Sequence, residues 1–305
     1  MPPARKVPKL HKKAIVVKKG TEFSDILKQQ FVIGKEVGQG GFGRIYEGIE
    51  KITQKSVAIK MEPQGNGPLF TEMHVYMRVL KVDMLEEWKR LKEIRFLVIP
   101  KFAISLESIR ESKPGNVFTF NETILIAKTI LYSLAYLHDQ NYVHGDVKAS
   151  NLMLENKTGS DLSRVVLIDF GLARKLPDEI IEKENKKQAH NGTPLFTSCD
   201  AHRGCLPSFR GDLEILIHNM LYWIVGSLPW QDYTDDPEKV FQQKKLFICN
   251  AKKEISKLIP EKKISSSIAN LYLISSKMAF GDKIDLERVI KLLTITKEVK
   301  EVENK

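Results

Sequence analysis

The sequence predicts an α+β chain, with strands gathered in its amino-terminal third and helices beyond. Three observations carry this. Residues 31–37 alternate, are β-branched, run into the glycine cluster Gly38-Gln39-Gly40-Gly41-Phe42-Gly43 and resume as a strand over 44–49, which reads as a glycine-turned hairpin. Ser56-Val57-Ala58-Ile59-Lys60 has the composition of a buried strand. Apolar residues at helical spacing then recur over 124–138, 215–224, 264–279 and 286–293.

At 305 residues, with 42% hydrophobic and 28% charged residues, the chain can build one large domain or two lobes. No apolar run reaches the roughly 20 residues that cross a bilayer, and the start has charge but no apolar core of a secretory signal. Cys199, Cys205 and Cys249 have no metal-ligand spacing and read as reduced thiols. Of the net charge of +10, seven cations (Arg5, Lys6, Lys9, Lys12, Lys13, Lys18 and Lys19) fall in a stretch without an acid. Residues 1–22 therefore read as a basic disordered tail, either simply solvated or serving as a nuclear-localisation or nucleic-acid-contacting arm.

Lysine inside an apolar strand needs a partner. Lys60 finds one in Glu72, on a helical segment whose apolar face is Leu69, Met73, Tyr76, Met77 and Leu80; Glu62 competes, but lies on the lysine's own strand. The loop His144-Gly145-Asp146-Val147-Lys148-Ala149-Ser150-Asn151 sets a carboxylate, an ammonium and an amide at spacings suited to phosphoryl transfer. Asp146 can orient and deprotonate a hydroxyl, Lys148 can neutralise phosphate charge, and Asn151 can ligate Mg²⁺. After the apolar run 165–168 comes Asp169-Phe170-Gly171.

The glycine-rich hairpin, the lysine strand, the glutamate helix, the catalytic-type loop and Asp-Phe-Gly stand in the order and context of protein kinases, which the chain resembles. Further stretches, among them QGGFGRIYEG, YVHGDVKASNLML, Asn191-Gly192-Thr193 and Arg210-Gly211-Asp212-Leu213-Glu214, resemble more narrowly the vaccinia-related kinase family, near the casein kinase 1 group. The resemblance implies a two-lobed kinase domain over 31–295, with a small antiparallel-sheet lobe to about residue 100, a larger helical lobe from about 103, and a charged tail at 296–305. It implies a monomeric, Mg²⁺- and ATP-dependent serine/threonine kinase, nuclear or nucleocytoplasmic and not membrane-bound, acting on chromatin-associated proteins. Carried over residue by residue, Asp146 and Lys148 are catalytic, and Asn151 and Asp169 hold magnesium. ATP falls to Val37, Gly38, Gln39, Gly40, Gly41, Phe42, Gly43, Arg44, Ile45, Ala58, Lys60, Glu72, Pro100, Phe102 and Met153. Pro100 need offer adenine only its C=O, and Phe102 the N–H. Thr193 lines the substrate channel and Asp212 caps the catalytic loop.

The chain departs from the kinase pattern in three places. Gly145 replaces the arginine that in many kinases awaits a phosphorylated loop, and residues 171–192 contain no Ser, Thr or Tyr. Activity without phosphorylation in that loop is expected, with the fixed charges of Asp178, Glu179, Glu182, Lys183 and Glu184 ordering it. The helical stretch 82–91 is followed almost at once by the strand 94–99, so an outer strand and its hairpin are missing. The sheet edge would be open and the Glu72 helix poorly anchored. The alternative function is thus a catalytically impaired kinase-fold scaffold.

Overall fold

The computed structural model describes residues 16–24, 28–40, 43–63, 66–80, 94–156 and 158–294. It divides into two compact units, Met1–Phe102 and Ala103–Lys305.

The first unit is an antiparallel sheet of β1 (Glu22–Ser24), β2 (Gln30–Gln39), β3 (Arg44–Glu50), β4 (Ser56–Pro63) and β5 (Ile94–Pro100), paired in that order. Alternation along the strands sends Phe31, Ile33, Tyr46, Ile59, Met61, Phe96 and Val98 into one core. A Cβ on Gly43 would run into the Met61 carbonyl, so only glycine lets β3 start this close to β4. β5 lies at the end of the order, as expected for a sheet without its outer strand.

Two expectations need correction. Residues 16–22 are not the end of a tail: the Val17 amide donates to the Tyr46 hydroxyl at 3.1 Å, and β1 pairs with β2. Phe23 drives this, packing at 4.4 Å against Phe96. Nor is the Glu72 helix left without an anchor. α1 (Pro68–Val75) begins with proline and buries Leu69, Glu72 and Val75, and a π-helical stretch, Tyr76–Leu80, continues it. Its N-terminus has no local side-chain cap; instead buried Glu62, from β4, accepts the Leu69 N–H at 2.6 Å. A carboxylate there satisfies an orphan donor and faces the positive end of the helix. Glu62→Ala strands that buried donor and should cost about 1–3 kcal/mol, read as a lower urea midpoint at unchanged slope. An unchanged midpoint would deny Glu62 this role. Residues 1–15, 82–91 and 296–305, read as tail, helix and tail, lie outside the described residues.

The second unit is mostly helical: α2 (Leu106–Ser112), α3 (Phe120–Asp139), α4 (Cys199–His202), α5 (Phe209–Val225), α6 (Pro237–Cys249), α7 (Ala251–Leu258), α8 (Lys262–Lys277) and α9 (Leu286–Thr294). A capping box of Thr119 and Glu122 starts α3. α5 is buried almost all round and forms the centre of the unit, ending where Gly226 adopts φ +85°. Trp230 packs fully buried and donates to the Leu195 carbonyl at 2.8 Å. The sequence reading passed over α6 and α7 because their apolar stripes are sparse: α6 buries only Val240, Lys244 and Phe247. Small antiparallel ladders join β6 (Ile104–Ser105), β8 (Leu152–Leu154) and β9 (Val166–Leu167), and β7 (Tyr142–Val143) with β10 (Arg174–Lys175). Among the described residues no helix is long and apolar enough to cross a membrane.

Candidate active site

In the second unit the loop after β7 hangs on one buried carboxylate. Asp212 of α5 accepts the backbone N–H groups of His144 and Gly145, each at 2.8 Å, and contacts His138 Nε2 at 2.9 Å. Burial pushes the Asp212 carboxyl up, but the bond and charge from His138 and the His144 amide hold it below its usual range. Gly145 turns the chain at φ +79°. The Asp146 N–H then donates to His144 Nδ1 at 3.2 Å, which makes Nε2–H the donor to the Ile168 carbonyl at 3.2 Å. Asn219, also on α5, donates to the Val147 carbonyl at 2.8 Å. The sequence reading missed Asn219, although a polar residue inside an apolar helix was a signal.

This scaffold presents Asp146 with both oxygens engaged. Thr193 donates its hydroxyl to Oδ1 at 2.7 Å, and Lys148 donates to Oδ2 at 2.7 Å and to Thr193 Oγ1 at 2.9 Å. Asn151 donates its Nδ2 to the Asp146 carbonyl at 2.9 Å, and its Oδ1 is the side chain's acceptor. Pairing of Leu152 with Leu167, extended by the Ile168 N–H to the Asn151 carbonyl at 2.9 Å, brings Asp169 alongside Asn151 in the chain trace. Asp169 takes the left-handed conformation, φ 63°, and accepts the Gly171 N–H at 3.3 Å. One carboxylate and one amide oxygen make a hard oxygen donor set, which fits Mg²⁺ shared with phosphate oxygens. Met153, flanked by buried Leu152 and Leu154, is half-buried.

In the first unit Lys60 reaches Glu72 at 2.6 Å, the glutamate only 2% exposed. Ala58 and Lys60 share a face of β4, with Ile45 opposite Lys60 across the ladder. Gly38 pairs with Ile45, Gln39 with Arg44, and the Gly40 N–H closes onto the Gly43 carbonyl at 2.9 Å. Arg44 forks onto Glu36 at 2.7 and 2.8 Å, and Val37 is exposed. Pro100 ends β5 opposite Val57, and Phe102 is half-buried. Gly41 and Phe42 lie outside the described residues.

Charge pairs tie down the stretch after Asp-Phe-Gly. Asp200 accepts from Ser208 at 2.6 Å, Arg203 at 2.6 Å and Arg210 at 2.8 Å. Burial pushes its carboxyl up, and Arg210, Ser208 and Arg203 more than reverse this. Both arginines also bind Glu182, and Arg203 binds Glu184 at 3.1 Å. Backbone bonds from Asn185 to Gly204 at 3.1 Å and from His190 to Ala201 at 2.9 Å complete the attachment.

Residues 31–273 match the protein kinase domain family. The serine/threonine-protein kinase VRK1 of Caenorhabditis elegans is 40% identical over 96% of this chain and 52% of its own length. The probable serine/threonine-protein kinase FPV212 of fowlpox virus is 35% identical over 88% of this chain and 93% of its own. Nucleosomal histone kinase 1 of Drosophila melanogaster is 34% identical over 92% and 50%. The chain thus spans about half the length of its worm and fly relatives. The solved structure of vaccinia related kinase 3 superposes with a TM-score of 0.80 over 95% of this chain and 93% of that one, at 23% identity, a likeness of fold. Sequence, domain match and fold together make the chain a member of the protein kinase family, in its vaccinia-related branch.

Proposed function

We propose that the chain is a serine/threonine protein kinase that moves the γ-phosphate of Mg²⁺-ATP to hydroxyls of chromatin-associated proteins, without needing phosphorylation of its own loop. The observation that carries this is the Asp146 carboxylate, which accepts a hydrogen bond from an aliphatic hydroxyl, that of Thr193, while Lys148 braces its other oxygen. An acceptor serine or threonine would take the same bond, be aimed by Asp146 and give up its proton there as the new O–P bond forms. Lys148 would then balance the negative charge of the phosphoryl group. Lys60, steadied by Glu72, would contact the α- and β-phosphates, and Ala58, Ile45 and Met153 would contact adenine. Asn151 and Asp169 would hold Mg²⁺, which when bound neutralises phosphate oxygens. The name of the fly relative supports chromatin proteins as substrates and a nuclear or nucleocytoplasmic location.

Independence from loop phosphorylation rests on the Glu182–Arg203–Arg210–Asp200 pairs, which supply charges a phosphate would otherwise bring. Thr193→Glu should lower the rate at least about tenfold, since it sets a carboxylate against Asp146. Thr197→Glu should do the same by burying a charge, because Thr197 is 2% exposed. A rise in rate from either would defeat the idea.

The test is transfer of labelled γ-phosphate to histone and casein by phosphatase-treated protein, expected to match the untreated protein. The place of β5 at the end of the sheet order among the described residues favours a second reading, a nucleotide-binding scaffold. ATP that raises the melting temperature without any transfer would select it. Residues 1–20 carry a separate proposal, nucleic-acid contact. Their removal should weaken DNA binding and flatten its salt dependence, and unchanged binding would dismiss it.

A further inference from the structure

α6 buries three side chains, and one of them is a lysine without solvent exposure, Lys244. A lysine in that position costs stability unless its ammonium is fully bonded. Its Nζ donates to the Pro194 carbonyl at 2.8 Å and the Thr197 carbonyl at 2.5 Å, and lies 3.3 Å from His202 Nε2. Three ammonium protons meet three acceptors. For Nε2 to accept, the His202 proton must sit on Nδ1, which lies 2.9 Å from His190 Nδ1. His190 then accepts there and turns its own Nε2–H toward the exposed Glu238 carboxylate, 3.7 Å away. Every donor in this chain points from the buried lysine out toward solvent.

The two carbonyls bracket a tight turn. The Phe196 and Thr197 N–H groups return to the Thr193 carbonyl at 2.9 and 2.8 Å, and the Thr197 hydroxyl does so at 2.9 Å. Thr193 is therefore fixed from behind by the segment that Lys244 clamps, while its hydroxyl holds Asp146 in front.

We propose that Lys244 is a positioning residue for the protein acceptor: its ammonium, through the Pro194 and Thr197 carbonyls, holds residues 193–197 in register with Asp146, and His202, His190 and Glu238 link that clamp to solvent. The assignment rests on the kinase reading above.

The charged neighbours agree with an ammonium at this site. Facing it are Cys199 and His202 of α4, Glu214 and His218 of α5, and the Trp230 ring at 5.6 Å, with Asp200 and Tyr272 beside Glu214. Burial pushes His202 down to about 3 and His218 well below its usual value, so neither competes for the charge. Burial also pushes Lys244 down, to about 7, against the attraction of Glu214 and Cys199. A proton lost near neutrality would leave a neutral amine whose bonds to the Pro194 and Thr197 carbonyls lack charge assistance, and the clamp would loosen. Global stability responds with the opposite sign. The unfolded lysine keeps its proton up to about 10.5, so between the two values the unfolded chain binds more protons and this group favours folding as pH rises. A peptide KM that climbs with pH is therefore not explained by Lys244 unfolding the protein.

The test compares the full chain with Lys244→Met and Lys244→Arg, in steady-state kinetics on a histone or casein peptide. Lys244→Met should raise the peptide KM at least about tenfold and leave the ATP KM within about twofold. In the wild type the peptide KM should rise between about pH 6 and about pH 9; in Lys244→Arg, charged throughout, it should stay flat. A folded Lys244→Met with the wild-type peptide KM and pH profile would overturn the assignment. Should Lys244→Met fail to fold, Lys244→Gln, whose shorter amide cannot satisfy all three acceptors, takes its place, and a wild-type peptide KM there rejects the clamp. A wild type that transfers no phosphate overturns the kinase reading, and this assignment with it.

Discussion

Asp146→Asn is expected to lower kcat by about three orders of magnitude with little change in thermal midpoint or ATP KM. The substitution keeps shape and volume, and the amide oxygen can still accept the Thr193 hydroxyl that now donates to Oδ1 at 2.7 Å. It cannot take a proton from an acceptor hydroxyl at neutral pH. It also points an amide N–H₂ at the Lys148 ammonium, which now donates to Oδ2 at 2.7 Å, and so frees the lysine from its place. Loss of the base and loss of the brace act on one transition state, so they should not add as independent terms. Residual transfer within about tenfold of wild type would show that Asp146 orients without accepting the proton. A lost ATP-induced rise in melting temperature would mean instead that nucleotide binding, not proton transfer, had been damaged.

The parts of this site that were legible in the sequence are those that demand a residue type locally. A lysine in an apolar strand asks for a carboxylate, and Glu72 answers it at 2.6 Å. The spacing from Asp146 to Asn151 survives as a real contact between the two, and the short interval before β5 survives as a strand at the end of the sheet order. What could not be read depends on partners distant in sequence. Glu62 looked like a rival for Lys60 because both share a strand face; only the path of the chain into α1 shows it capping Leu69. β1 is three residues long beside a basic stretch, and its warrant is Phe23 meeting Phe96. Lys244 and Asn219 stabilise loops 47 and 72 residues away; a polar residue in an apolar helix flags Asn219, but no local pattern names the partner of either.

Asp212→Ala should cost about 3–5 kcal/mol of folding stability, the scale for removing one partner of a buried charged network, and should also depress kcat. Three donors converge on this carboxylate: the His144 and Gly145 amides and His138 Nε2. Alanine strands them, and the two amides belong to the loop that aims Asp146, so stability and catalysis fall together. The pH dependence separates this from simple loss of packing. The folded Asp212 carboxyl sits below its ordinary 3.8, so the unfolded chain takes up its proton first as pH falls. Its contribution is therefore present above the unfolded value and is lost as pH drops through the folded one. Urea midpoints for wild type and variant should stay a constant distance apart from neutrality to about pH 5, then converge in more acid solution. A gap that holds constant down to about pH 3 would mean that the side chain acts through its volume, and that the catalytic loop is held by something other than its charge.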